Sequence, residues 1–92
     1  MIVRISTVGQ YRLPDADAAR LNELDNGAVA AVDAGDEQRF ADLFAQMIAL
    51  VEAHGEALAD DDLHGSDVIL PPPDTTFAEA RAEFSGDGLI PD

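Results

Sequence analysis

The segment from Asp36 to Gly55 constrains this chain most. Phe40, Leu43, Phe44, Met47, Leu50 and Val51 recur at three- and four-residue spacing, the repeat of one face of an α-helix. Asp36 stands where a side-chain oxygen can cap that helix, which runs to about His54. Gly35 and Gly55 bracket it, and both suit the left-handed position that ends a helix. So broad an apolar stripe must be covered by other elements of a chain of only 92 residues, a length that makes one small domain.

The preceding segment supplies the first cover. Leu21, Leu24, Ala28 and Val32 also recur at helical spacing, with Asp15 or Asp17 as cap and Gly35 as the residue after the end. Residues 15–55 thus read as two helices joined by a short link, which places them antiparallel with their stripes together. Gly27 costs the first helix about 1 kcal/mol relative to alanine and allows a bend or a close approach there.

Residues 1–13 change period. Met1, Val3 and Ile5 alternate, as do Tyr11 and Leu13, with Gly9 between the two runs, so the segment reads as a β-hairpin with Arg4 and Arg12 on its opposite face. A two-stranded hairpin alone is marginal in water, so its apolar face must pack on the helices. Residues 56–74 form an acidic, proline-rich connector around one apolar patch, Val68, Ile69 and Leu70, expected to lie extended on the core. Residues 75–92 hold a last helix and a tail. Thr76 and Glu79 have capping-box spacing, Phe77, Ala80 and Phe84 share a face, and Leu89 and Ile90 make the tail apolar. The expected fold is α+β, mainly α: one domain over 1–92, with an N-terminal hairpin packed on about three helices.

Charge narrows the partners. Nineteen acidic residues against five basic ones leave a formal charge of −14, a field that repels nucleic-acid phosphates and anionic head groups. Direct binding to nucleic acid or membrane is therefore not expected. No apolar run approaches the roughly 20 residues of a spanning helix, and the first residues lack the pattern of a secretory signal. All five basic residues are arginines, a composition that fits either a GC-rich genome or adaptation to high salt.

No motif points to catalysis. The chain has no cysteine, hence no thiol nucleophile or Cys-ligated zinc. Ser6, Ser66 and Ser85 sit in no G-x-S-x-G elbow, and Gly86 and Gly88 lack the lysine of a phosphate loop. Asp60, Asp62 and Gly65 match the first, third and sixth positions of a calcium loop, but His64, Asp67 and Pro71 break the pattern, so a solvated acidic loop is expected and no metal or cofactor. His54 belongs at a helix C-terminus, where a cation is favoured. Arg4 and Arg12, with Tyr11 beside them but aimed at the other face of the hairpin, make the one basic cluster. Two readings stand for it: compensation by nearby carboxylates, or a partner-binding spot, since Arg and Tyr are enriched among interface anchors.

Several stretches together carry a family resemblance: Met1-Ile2-Val3-Arg4-Ile5, Gly9-Gln10-Tyr11-Arg12-Leu13, Leu21-Asn22-Glu23-Leu24-Asp25-Asn26 and Val32-Asp33-Ala34-Gly35-Asp36-Glu37. Two more are Gly65-Ser66-Asp67-Val68-Ile69-Leu70-Pro71-Pro72 and Gly86-Asp87-Gly88-Leu89-Ile90-Pro91. With these the chain resembles the PspA-associated family, PspAA, small proteins of actinobacteria and archaea encoded beside, or fused to, relatives of phage shock protein A. The resemblance implies a cytoplasmic accessory of the envelope stress response, whose partner is a PspA-like coiled-coil protein and which meets the membrane only through that partner. It implies no catalytic residue. The expected function is non-enzymatic, with Arg4, Tyr11, Arg12, Leu89 and Ile90 as partner-binding residues. The alternatives are a small hydrolase with a spatially assembled site and a structural homo-oligomer.

Overall fold

Alternation at the N-terminus and helical periodicity after it both translate into structure. A computed structural model describes residues 1–59 and 65–83. Strand β1 (Ile2–Ile5) turns through residues 6–8 into β2 (Gly9–Arg12), and two long helices follow, α1 (Asp15–Ala34) and α2 (Glu37–His54). Strands β3 (Glu56–Ala57) and β4 (Val68–Leu70) and the short helix α3 (Phe77–Glu83) complete the described elements. In the turn, the Val8 N–H donates to the Ile5 carbonyl at 3.0 Å.

The hairpin is not alone. The described strands form one sheet in the order β3-β2-β1-β4, so the connector contributes two strands where its proline and glycine content predicts only turns and extended chain. β3 runs antiparallel to β2, pairing Tyr11 with Ala57 and Arg12 with Glu56. β4 runs parallel to β1, pairing Val3 with Val68, Arg4 with Ile69 and Ile5 with Leu70. The segment before β4 is tied to the start of β1 from both sides: the Asp67 N–H donates to the Ile2 carbonyl at 2.8 Å, and the Ile2 N–H donates to the Asp67 carboxylate at 2.7 Å.

One face of this sheet and the helical stripes share the core. Val3, Ile5, Leu13, Val68 and Leu70 are buried with Leu21, Leu24, Ala28 and Val32 of α1 and Phe40, Phe44, Met47, Ile48 and Val51 of α2. Leu43 and Leu50, read as stripe positions, are half-buried at its margin. A Cβ built on Gly27 would stand 3.1 Å from the Leu43 Cδ1 atom, so this glycine lets α1 approach α2. Phe40 stacks on Phe44, with ring centroids 5.6 Å apart, and meets Phe77 edge-on at 5.8 Å. That aromatic contact fastens the start of α3 to α2.

The helix ends follow local rules with two exceptions. The Asp36 carboxylate accepts from the Arg39 N–H at 3.1 Å, and Gly35 ends α1 in the left-handed conformation with φ 71°. Thr76 and Glu79 close a reciprocal capping box: the Thr76 N–H donates to the Glu79 carboxylate at 3.0 Å and the Glu79 N–H donates to the Thr76 hydroxyl at 3.2 Å. The first exception is the cap of α1. Pro14 occupies it without any side-chain hydrogen bond; Asp15 is already the first helical residue, and Asp17 is drawn to His54 instead, at 3.0 Å. The second is Gly55, which is extended, φ −79° and ψ 150°, rather than left-handed. The chain there passes straight into β3, and β3 must run extended to pair with β2. Phe84, Leu89 and Ile90 lie outside the described residues, as do Asp60, Asp61, Asp62 and His64.

Candidate functional site

Because β1 and β4 alternate in register, one side of the sheet is core and the other is left to solvent. Val3, Ile5, Val68 and Leu70 point into the core; Ile2, Arg4, Gln10, Arg12 and Ile69 therefore occupy the face with no helix on it. Arg4 lies opposite Gln10 on one side and Ile69 on the other, and Arg12 lies opposite Ile2 and Glu56. Arg4 and Arg12 are thus diagonal neighbours across β1 and β2, a relation that sets backbone positions about 7–8 Å apart.

Both arginines are exposed. Among the described residues neither forms an ion pair, although Glu56 faces Arg12 in register; the pairs present are Arg20 with Glu23, His54 with Asp17, and the N-terminal amine with Asp15. Ile69 stands beside Arg4 with 56% of its surface exposed, one of two large apolar side chains so exposed among the described residues. The polar side of the face is held in place: the Gln10 amide donates to the Ser66 hydroxyl at 2.7 Å, bridging β2 to the segment leading into β4. The arrangement presents two guanidiniums and an aliphatic side chain on a rigid sheet, chemistry suited to carboxylates beside an apolar ridge.

Tyr11 takes the other side. It pairs with Val3, is half-buried and packs against the core, with its Cβ 2.9 Å from the place a Gly55 side chain would take. Arg4 and Arg12 are brought together, then, and Tyr11 is separated from them by the sheet. Sequence reasoning missed Ile69. Within an apolar triplet nothing marks the middle residue as outward until the strand is known to pair at a sheet edge. Asp25 was also missed as a core residue: it is fully buried on α1, the one charged residue in the core among the described residues, and it is partnered rather than free.

Among the described residues, several polar side chains singled out in the sequence have structural partners. No group of three or more His, Asp or Glu side chains could hold a metal ion there. Asp67 is occupied by the Ile2 N–H, Ser66 accepts from Gln10, and His54 pairs with Asp17 across the ends of α2 and α1. No helix among the described residues is long and apolar enough to cross a membrane.

No curated protein and no solved structure matches the chain. A family model described as PspAA, PspA-Associated protein, matches residues 1–92, the whole length. On that match, the chain with its arginine-bearing open sheet belongs to the PspA-associated family.

Proposed function

We propose that this protein is a non-enzymatic accessory that binds a PspA-like membrane-stress protein of coiled-coil type through the open face of its sheet. The observation that carries the reading is the pair of exposed guanidiniums, Arg4 and Arg12, which form no ion pair among the described residues and lie beside exposed Ile69, in a chain whose formal charge is −14. On such a chain an exposed basic spot selects a carboxylate-bearing partner, since the rest of the surface repels it. The partner supplies carboxylates and an apolar helical ridge: the arginines set orientation and on-rate, and Ile69, with the tail residues Leu89 and Ile90, supplies buried apolar area. Tyr11 contributes from beneath by supporting the strand that bears Arg12. The protein acts in the cytoplasm and reaches the membrane through its partner, consistent with a charge that disfavours anionic lipid.

A pull-down with the PspA-like proteins of the same genome tests this. The parent is compared with an Arg4→Glu, Arg12→Glu variant and with a chain truncated after Gly88, each shown by circular dichroism to be folded. Loss of about 2 kcal/mol or more of binding free energy in the charge-reversed variant is expected, because central anchors commonly cost that much. Undiminished binding by that variant would refute the assigned surface, and no binding by the parent would refute the accessory reading.

A further inference from the structure

A second surface, which neither Arg4 nor Arg12 lines, has the opposite electrostatic character. Between α2 and residues 73–77 runs an open groove of about 600 Å³. Its floor is formed by Phe40, Phe44 and Ile48, and Ala41, Ala45 and Ala49 line its α2 side, exposed to solvent. Pro73 and Phe77 stand across from them. Alanines keep that side of α2 shallow above the buried floor, so the solvent-facing wall of the groove is Ala41, Ala45 and Ala49, with exposed Pro73 and half-buried Phe77 opposite. The Phe40, Phe44 and Phe77 rings brace one another through the stacked and edge-on contacts already described, which makes the floor rigid.

The ends of the groove carry charge of one sign. Glu37 lines it at the start of α2 and Glu52 near the finish, and among the described residues no basic side chain lines it. Among the described residues neither glutamate forms an ion pair. At the helical rise their separation along α2 is about 22 Å, some four turns of a helix laid alongside. An apolar trough of that length is the receiving half of helix-in-groove recognition. Carboxylates at both ends then ask for cations at both ends of the guest. A second copy of this chain is the wrong occupant, since it would bring its own Glu37 and Glu52 and a further charge of −14 against this surface.

We propose that the groove between α2 and residues 73–77 receives an amphipathic helix of a partner protein whose apolar ridge is flanked at each end by basic residues. The site is distinct from the open face of the sheet, so the molecule has one surface for acidic contacts and one for basic contacts.

The test uses the full chain and two fluorescent synthetic helical peptides of about 18 residues with the same leucine ridge, one ending in lysines and the other in glutamates. Anisotropy titrations should show the lysine-ended peptide binding about 10-fold or more tighter than the glutamate-ended one at low salt. An Ala41→Gln, Ala45→Gln variant should lose about 10-fold or more of that affinity by filling the trough; both positions are exposed on α2 and Gln is a good helix former, so the fold is kept. A Glu37→Gln, Glu52→Gln variant should bring the two peptides to nearly equal affinity. The Arg4→Glu, Arg12→Glu variant should bind the lysine-ended peptide as well as the parent does, which separates this site from the open face of the sheet. Equal affinity of the parent for both peptides, no binding of the lysine-ended peptide, or indifference to the alanine substitutions would overturn the proposal. So would a dimer in sedimentation that the alanine substitutions dissolve, which would make the occupant a second copy.

Discussion

Replacing Gly55 with alanine probes why α2 stops where it does. Backbone conformation offers no objection, because φ −79° and ψ 150° are open to any residue. Space does. A Cβ there would run into the Val51 carbonyl oxygen and come within 2.9 Å of the Tyr11 Cβ. Neither neighbour yields easily: the Val51 carbonyl accepts the Gly55 N–H at 2.8 Å, and Tyr11 is paired with Val3 on one side and Ala57 on the other. Overpacking of this kind costs about 1–3 kcal/mol, while alanine returns about 0.4–1 kcal/mol by restricting the unfolded chain. The expected net loss is about 1 kcal/mol, a fall in Tm of about 4–8 °C for a domain of this size. Thermal unfolding followed by circular dichroism reads it directly. Asparagine sharpens the test, because it tolerates a left-handed residue better than alanine does but is larger. At Gly35, which is left-handed, Gly35→Asn should be milder than Gly35→Ala; at Gly55 the order should reverse. A Gly55→Ala protein within about 0.5 kcal/mol of the parent, or Gly55→Asn milder than Gly55→Ala, would refute the crowding argument.

Other perturbations separate other parts of the structure. Leu70→Ala empties a fully buried site where β4 meets the core and should cost about 2–5 kcal/mol in chemical denaturation, whereas Ile69→Ala, on the open face, should change stability by about 0.5 kcal/mol or less. Raising ionic strength from about 0.01 M to about 1 M shortens the screening length from roughly 30 Å to roughly 3 Å, so self-repulsion among the acidic residues should weaken and Tm should rise; a flat or falling Tm would show that the carboxylates are not crowded. Glu79 titrates below its ordinary value because the Thr76 backbone N–H, and then the Thr76 hydroxyl, hold its charged form. A carboxylate lowered in this way stabilises the start of α3 fully above its unfolded value and loses that contribution as pH falls through the folded one. Amide protection in α3 should therefore drop on acidification in the parent, and Glu79→Gln should flatten that dependence.

Several features of this protein are local, and for those the amino-acid order suffices. Periodicity marks Leu21, Leu24, Ala28, Phe40, Phe44, Met47 and Val51 as core, and all are buried. Asp36 caps α2 and Thr76 with Glu79 caps α3 because each interaction closes within a single turn. Period two likewise puts Arg4 and Arg12 on one face and Tyr11 on the other, since successive side chains of a strand alternate whatever surrounds it. Other features depend on partners distant in sequence. β3 and β4, of two and three residues, are too short to carry a period of their own; they exist because β2 and β1 offer free edges, and β4 is joined to β1 across a separation of 65 residues. That pairing turns Ile69 outward and Val68 and Leu70 inward, a distinction absent from an apolar triplet. Gly55 is extended because β3 begins next to it, and Asp17 leaves the cap of α1 because α2 brings His54 within 3.0 Å. The candidate surface divides in the same way. Its arginines are legible in strand alternation, but its openness and its apolar neighbour follow only from both helices packing on the far side of a four-stranded sheet, where the apolar side chains of the two layers meet.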